Sequence, residues 1–463
     1  MDVKSGQSPV MDYSIFRAYD IRGVYPGELS PDICYAIGRA YCQVFHPENI
    51  AIGMDVRLSS EPLKEGLARG IIESGCDVID LGKITTDMVY FAVGYYGYAG
   101  GIAVSASHNP PKYNGLKMIR EKATAISSDT GLFTIRDVLK SGALKTGKPK
   151  KLGKLLKKDS VTDYVKFVLS LIGNPPAKKF KFVANTNFGY TCMPVKALAE
   201  RLHLQMIPLN FEPDGSFPKG APNPMLPENQ RETEDLVIKN KADFGVMWDG
   251  DGDRVMFIDD KGAFIPGVYI TALLAKIMLE QYGRNNKIIF DPRAVWPIYK
   301  AISDAGGQAI LTKAGHAFIK DRLRSENAVF AGELSGHYYF RDFYYCDNGI
   351  LPWMLMMKYL SEHDIKLSEL VAPFRAGHCL VGELNYDVRD VKAVMDDVVS
   401  QLKGQGKEDF TDGYSLETAD WRFNVRPSNT EPILRLNIEA REESVAEGVR
   451  QRLEKIIEKH RAQ

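Results

Sequence analysis

Short apolar runs that end in polar turns recur along the chain, and each is followed by a stretch of helical period. Residues 50–55, 180–185 and 287–291 are rich in β-branched and aromatic side chains and predict buried strands. Residues 61–74, 193–202 and 294–305 follow them and predict helices. A second short strand comes next, at 77–81, 205–209 and 308–312. A third then runs into a polar loop: 101–104 before Ser-Ala-Ser-His-Asn-Pro, 244–248 before Asp-Gly-Asp-Gly-Asp-Arg, and 328–331 before Gly-Glu-Leu-Ser-Gly-His. A unit repeated in pattern rather than identity predicts three similar layered α/β domains with mixed, largely parallel sheets. Right-handed crossovers bring the strand ends to one side, and ligands of open α/β sheets bind beyond the carboxyl ends of strands. All three polar loops stand at such ends.

After about residue 373 the pattern changes. Residues 380–386, 421–425 and 433–440 predict strands. Residues 444–459 predict an amphipathic helix with Val445, Val449, Leu453, Ile456 and Ile457 on one face. This predicts a C-terminal α+β domain. Residues 145–158 contain seven lysines and read as a solvated linker. The resulting division is 1–155, 156–262, 263–373 and 374–463.

Composition narrows the partners. The 463 residues suit three to four domains of about 100–200 residues each. Lys plus Arg and Asp plus Glu both number 59, without the basic surplus of a nucleic-acid binder. Six scattered cysteines form no C-x-x-C pair and favour a reducing compartment. No apolar stretch reaches the roughly 18 residues of a spanning helix, and the longest candidate, 349–360, carries Lys358. The expectation is a cytoplasmic monomer that meets small molecules in clefts and binds neither nucleic acid nor membrane.

The loops carry the chemistry. Asp249, Asp251 and Asp253 crowd three carboxylates into five residues, which a hard cation would neutralise, and Gly250 and Gly252 let the backbone curl around it. A calcium loop of the EF-hand type is excluded by Arg254 at its sixth position, where glycine is needed, and by Asp260 at its twelfth. Ser107 sits in no serine-hydrolase elbow; beside a three-Asp loop it suits a phosphoryl carrier. Arg426, Ser428, Asn429 and Thr430 offer a forked donor, hydroxyls and amides to a phosphate. Glu333, Ser335 and His337 alternate, which on an extended segment would place them on one face as donors and acceptors for sugar hydroxyls. Of eight histidines only His108, His316 and His337 lie in such loops; the others read as surface or packing residues. No G-x-G-x-x-G opens a helix, which disfavours hydride transfer.

SASHNP, DGDGDR, GELSGH and RPSNT in this order, with FRAYDIRG at 16–23 and NPPKYNGLK at 109–117, resemble the α-D-phosphohexomutase superfamily. The similarity is greatest to bacterial phosphomannomutase/phosphoglucomutase and runs from about Ser14 to the C-terminus. The resemblance implies four domains around a central cleft, with Ser107 as the phosphoserine. It implies Mg²⁺ on Asp249, Asp251, Asp253 and phosphorylated Ser107, and glucose 1,6-bisphosphate or an equivalent as activator. Glu333 and Ser335 would hold sugar hydroxyls, with His337 nearby, and Arg426, Ser428, Asn429 and Thr430 would grip the phosphate that is not transferred. Tyr19, Arg22, His108, Lys117, Arg254 and His316 match positions lining the cleft. Arg22, His108 and Lys117 would stand nearest the phosphoserine, and Lys117 or His337 would carry the substrate proton. The implied reaction moves a phosphoryl group between the 1 and 6 positions of mannose or glucose phosphates through a 1,6-bisphosphate.

Rival expectations are a phosphoglucosamine mutase, a magnesium-dependent sugar bisphosphate phosphatase or synthase using the same phosphoserine, and a non-catalytic sugar-phosphate binder. Leu334 resembles the mannose/glucose branch. This chain departs from the family at Ser105, at Arg293 in place of lysine, at Asn185-Thr-Asn187 and at Thr85-Thr-Asp87. The last two are expected to stay clear of the active loops.

Overall fold

The computed structural model describes residues 11–145, 147, 149–428 and 433–461. It divides into two compact units, Met1–Phe264 with Tyr339–Asp364, and Ile265–Tyr338 with Ile365–Gln463.

The first sheet of the first unit runs Ile21–Val24, Tyr113–Arg120, Gly100–Val104, Asn49–Met54, Asp77–Lys83, Leu155–Lys157. Its first two junctions are antiparallel and its last three parallel. The predicted strands are its centre; Asn49–Met54 is buried along all but its first residue. The antiparallel strands Ile21–Val24 and Tyr113–Arg120 were not expected. Nor was the edge strand Leu155–Lys157, which stitches the end of the lysine-rich segment onto Asp77–Lys83. Gly153 N–H donates to Ile72 and Lys154 N–H to Asp77, so that end of the expected linker is part of the domain.

Helices Pro31–Phe45 and Ser60–Ile72 cover one face through Ile37, Tyr41, Leu63 and Leu67. Pro31 starts its helix where no N–H is needed, and Ser30 Oγ accepts from Ile33 N–H at 3.3 Å. The two helices meet where side chains are missing. A Cβ on Gly66 would lie 2.2 Å from the Pro31 carbonyl oxygen, and one on Gly70 2.1 Å from that of Tyr35.

The second sheet aligns Val255–Ile258, Phe244–Trp248, Lys181–Asn185 and Gln205–Leu209, parallel except at Val255–Ile258. The apolar stretch near 349–360 finds its place here as helix Leu351–His363. Trp353 packs on Phe182 and Trp248, and the Trp248 indole N–H donates to the Gly349 carbonyl at 2.7 Å. No helix among the described residues is long and apolar enough to cross a membrane.

In the second unit Gln308–Leu311, Lys287–Phe290 and Phe330–Gly332 run parallel. The C-terminal sheet is antiparallel throughout: Cys379–Asp387, Ile433–Ala440, Trp421–Pro427, Tyr414–Glu417, Lys407–Asp409. Helices Val391–Leu402 and Glu443–Ile457 cover one face of it. Val449, Leu453, Ile456 and Ile457 are buried as predicted, Val445 is half-buried, and Ala446 joins them.

Gly66→Ala should lower stability by about 1–3 kcal/mol through overpacking. Gly448→Ala, in a helix and facing open space, should instead raise it by up to about 1 kcal/mol. Denaturant midpoints of the two variants check the opposite signs.

Candidate active site

Ser107 follows strand Gly100–Val104 and has φ of 51°, a left-handed conformation that costs a non-glycine residue about 1–3 kcal/mol. What imposes it is a neighbouring strand end. Asp55, just past Asn49–Met54, pairs with Arg57 Nε at 3.1 Å. The rest of that buried guanidinium donates to four carbonyls of the serine loop: Ser107 and Asn109 at 2.7 Å, Pro110 at 2.9 Å and Tyr113 at 3.1 Å. Arg22, on Ile21–Val24, donates to the Ala106 carbonyl at 2.9 Å and also bonds Asn109 and Asp20. Gly115 lets these strands close up, since a Cβ there would lie 2.4 Å from the Ile21 carbonyl oxygen. Tyr19 is half-buried at the entry to the same strand.

The Ser107 hydroxyl donates to Asp249 Oδ2 at 2.5 Å and lies 3.2 Å from His108 Nδ1. Asp249, Asp251 and Asp253 are at most 1% exposed, and their ligand atoms all lie within 4.8 Å of one another. Burial pushes the Asp249 carboxyl up to about 8, with Asp251 and Asp253 adding to it. Lys117, opposite Ala103 in the sheet, reaches Asp251 Oδ2 at 2.8 Å and also pairs with Asp253. Burial alone would lower its pKa, but the three carboxylates outweigh that and hold the ammonium charged. Arg254 Nε lies 3.7 Å from Asp249. Asp251 Oδ1 is buried without a hydrogen bond. Three converging carboxylates, one with an uncommitted oxygen, suit a hard divalent cation.

The two departures expected to stay clear of these loops in fact support them. Thr86 donates to Asp251 twice, from Oγ1 at 2.6 Å and from its N–H at 2.9 Å. Asn187 donates to the Trp248 carbonyl at 2.6 Å. Ser105 Oγ likewise donates to Asp251 Oδ2 at 2.8 Å. Behind Thr86, buried Asp87 accepts from Tyr164 Oη at 2.6 Å and from Asn348 Nδ2 at 2.7 Å. Burial raises its carboxyl to about 7, against the pull of Thr85 and Tyr164.

In the second unit, Glu333, Ser335 and His337 do not alternate on an extended segment. They converge in a tight turn closed by Gly336 N–H to the Glu333 carbonyl at 3.1 Å, with Gly336 at φ of 85°. His337 Nδ1 lies 3.0 Å from Glu333 Oε2 and 3.2 Å from Ser335 Oγ. Arg293 is locked on Asp291 at 2.7 and 2.9 Å and reaches Glu333 at 3.4 Å. Gly315 N–H donates to Glu333 Oε1 at 3.0 Å, which sets His316, at the head of His316–Ser325, beside this turn. Arg426 pairs with Glu383 at 3.0 Å, and Ser428 N–H donates to Ile433. Asn429 and Thr430 lie outside the described residues.

Several residues escaped the sequence reading. Asp55 and Arg57 stand at a strand end, where position alone could have flagged them. His378, read as a surface or packing residue, is a packing one whose side chain also bonds Glu439 and Tyr269, at 2.9 Å from each.

Four consecutive family models match the chain. They are the phosphoglucomutase/phosphomannomutase alpha/beta/alpha domains I, II and III, at residues 13–145, 162–262 and 266–376, and the C-terminal domain at 382–456. The fold and site are therefore those of an enzyme, a mutase. The chain belongs to the phosphoglucomutase/phosphomannomutase family. It is 43% identical over 432 residues to a protein of Xanthomonas campestris pv. campestris described as phosphohexose mutases, covering 93% of this chain and 96% of that one. It is 42% identical to a phosphomannomutase of Escherichia coli (strain K12), covering 92% and 94%. A crystal structure of a phosphoglucomutase/phosphomannomutase family protein from Burkholderia thailandensis superposes with a TM-score of 0.87 at 28% identity, over 96% and 97% of the chains.

A carboxyl with a folded pKa near 7 and an unfolded value of about 3.9 adds stability that is complete below the lower value and is lost as pH rises through the upper one. The melting temperature of the native chain relative to Asp87→Asn should therefore fall between about pH 4 and 7 and level off above. Parallel profiles would show that Asp87 does not titrate in this window.

Proposed function

We propose that the enzyme interconverts the 1- and 6-phosphates of mannose and of glucose by passing a phosphoryl group through Ser107. The observation that carries the reading is the Ser107 hydroxyl, set on a left-handed turn and hydrogen-bonded to one of three buried carboxylates. Relatives named phosphomannomutase and phosphohexose mutases support the substrate class. The buried Leu334 supports mannose and glucose over glucosamine, by the resemblance already noted.

In this reading Asp249, Asp251 and Asp253 hold Mg²⁺, which when bound neutralises charge on the transferring phosphoryl group. Arg22 and Lys117 supply fixed positive charge near the Ser107 oxygen. His108 Nδ1 is within reach of that oxygen to take or return its proton, while the sugar hydroxyl gives its proton to His337 or takes a hydrogen bond from the charged Lys117. Arg254 holds Asp249 in place. Glu333, Ser335 and His337 read sugar hydroxyls with His316 and Tyr19, and Arg293 orients Glu333. Arg426, Ser428, Asn429 and Thr430 grip the phosphate that stays. Phospho-Ser107 donates to a hexose 1-phosphate, the 1,6-bisphosphate turns end for end, and its other phosphate returns to Ser107. Glucose 1,6-bisphosphate would prime unphosphorylated enzyme. We place the enzyme in the cytoplasm, a reading supported by six cysteines that form no disulfide, and take it as a monomer.

Ser107→Ala should cut turnover by at least about a thousandfold while leaving the melting temperature near that of the native chain. Undiminished activity in that variant would sink the phosphoserine. Asp251→Asn should weaken magnesium dependence and turnover together, and a chelator should abolish activity. A panel of mannose, glucose and glucosamine 1-phosphates ranks the substrates. Release of phosphate from glucose 1,6-bisphosphate without isomerisation would point to a phosphatase instead.

A further inference from the structure

Glu383 is not among the motif residues, yet the fold aims it at Arg426, which is proposed to grip phosphate, and at its neighbour Arg435. Strand Cys379–Asp387 runs antiparallel to Ile433–Ala440, and its register slips between Val381 and Leu384. Val381 stands opposite Ile438 and Leu384 opposite Leu436, and both pack on the apolar core of that sheet. Simple alternation from Val381 would turn residue 383 into the core and Leu384 out of it. The bulge at Gly382 and Glu383 resets the phase, so Leu384 meets the core while Glu383 joins Arg426 and Arg435. Re-aiming a side chain is what bulges beside functional sites do.

The carboxylate is then shared. Glu383 Oε2 accepts from Arg426 at 3.0 Å and Oε1 from Arg435 at 3.1 Å, while Arg293 lies 3.9 Å away. Arg426 and Arg293 side chains are only 3% and 6% exposed. Arg426 Nε makes no hydrogen bond, its nearest partner being Asp412 at 3.9 Å. Guanidiniums converging on one forked anion reproduce how arginines hold a phosphate. Arginine does not shed its charge, so such a cluster, buried, requires an anion whether or not substrate is bound.

We propose that Glu383 is a placeholder anion, filling the fork of Arg426, Arg435 and Arg293 between substrates and competing with phosphate for it. The inference rests on reading Arg426 as part of the phosphate grip. A bisphosphate that must leave the grip by one end and return by the other needs a grip that lets go. A resident carboxylate provides that release while keeping the arginines in place.

Glu383→Gln keeps the size and removes the charge. The KM for hexose 1-phosphate and the inhibition constant of inorganic phosphate should both fall several-fold, and kcat should fall with them as release slows. Glu383→Asp, with a shorter reach, should shift phosphate inhibition the same way but less, and it serves alone if the glutamine variant does not fold. An unchanged or raised phosphate inhibition constant overturns the proposal and leaves Glu383 a mere support for the arginines. Arg426→Lys separates the two readings. If it leaves KM and phosphate inhibition untouched, the grip itself is wrong; if it raises both while the Glu383 variants change nothing, only the placeholder is wrong.

Discussion

Asp249, Asp251 and Asp253 are held buried with their oxygens within 4.8 Å of one another, and much of the first unit answers their mutual repulsion. Two unit charges about 4 Å apart repel by about 4 kcal/mol at an effective dielectric near 20, so three together cannot stand without compensation. Lys117 supplies a charge, shared between Asp251 and Asp253. Ser107, Ser105 and Thr86 supply hydroxyl donors. Gly252 at φ of 76° supplies the curl, where a Cβ would lie 2.4 Å from Thr191 Oγ1. Ser105 and Ser107 follow strand Gly100–Val104, Lys117 stands on Tyr113–Arg120 and Thr86 heads helix Thr86–Tyr96, so the carboxylate cluster organises these elements as much as they organise it.

The serine turn obeys a second constraint, on the backbone. A left-handed serine persists only where its surroundings over-determine it. Arg57 does this with a single planar group, whose fixed fork of donors can satisfy several carbonyls at once where a lysine could not. The same arrangement removes the cost of burying those carbonyls. The conformation that presents the Ser107 oxygen to Asp249 and the stability of the loop therefore have one source.

Much of this was legible in the sequence. Periodicity located the parallel strands, and Gln205–Leu209, Phe244–Trp248 and Ile433–Ala440 begin and end where it put them. The chemistry of the loops was legible because acidic, hydroxyl and guanidinium groups rarely crowd together without a ligand. What stayed hidden is long-range. Nothing local in Thr85-Thr-Asp87 says that Thr86 will meet Asp251, 165 residues away. Nothing local assigns Asn348 to Asp87 and Tyr164 while its Oδ1 also accepts from Leu351 N–H at the head of helix Leu351–His363. Alternation misled at the Glu333 turn, because period-2 reasoning assumes an unbroken strand.

The two units solve one electrostatic problem with opposite signs. In the first, carboxylates suited to a divalent cation are occupied by an internal cation, Lys117. In the second, guanidiniums suited to a phosphate are occupied by an internal anion, Glu383. A buried cluster of like charges cannot wait empty, because desolvation is not repaid until a counter-charge arrives. Supplying that counter-charge from the chain keeps each cluster folded without ligand, and it weakens ligand affinity by whatever the displaced ion pair was worth. For the proposed exchange of phosphate between the two ends of one sugar, that weakening is useful. It lets the site be rigid, as catalysis requires, without being sticky.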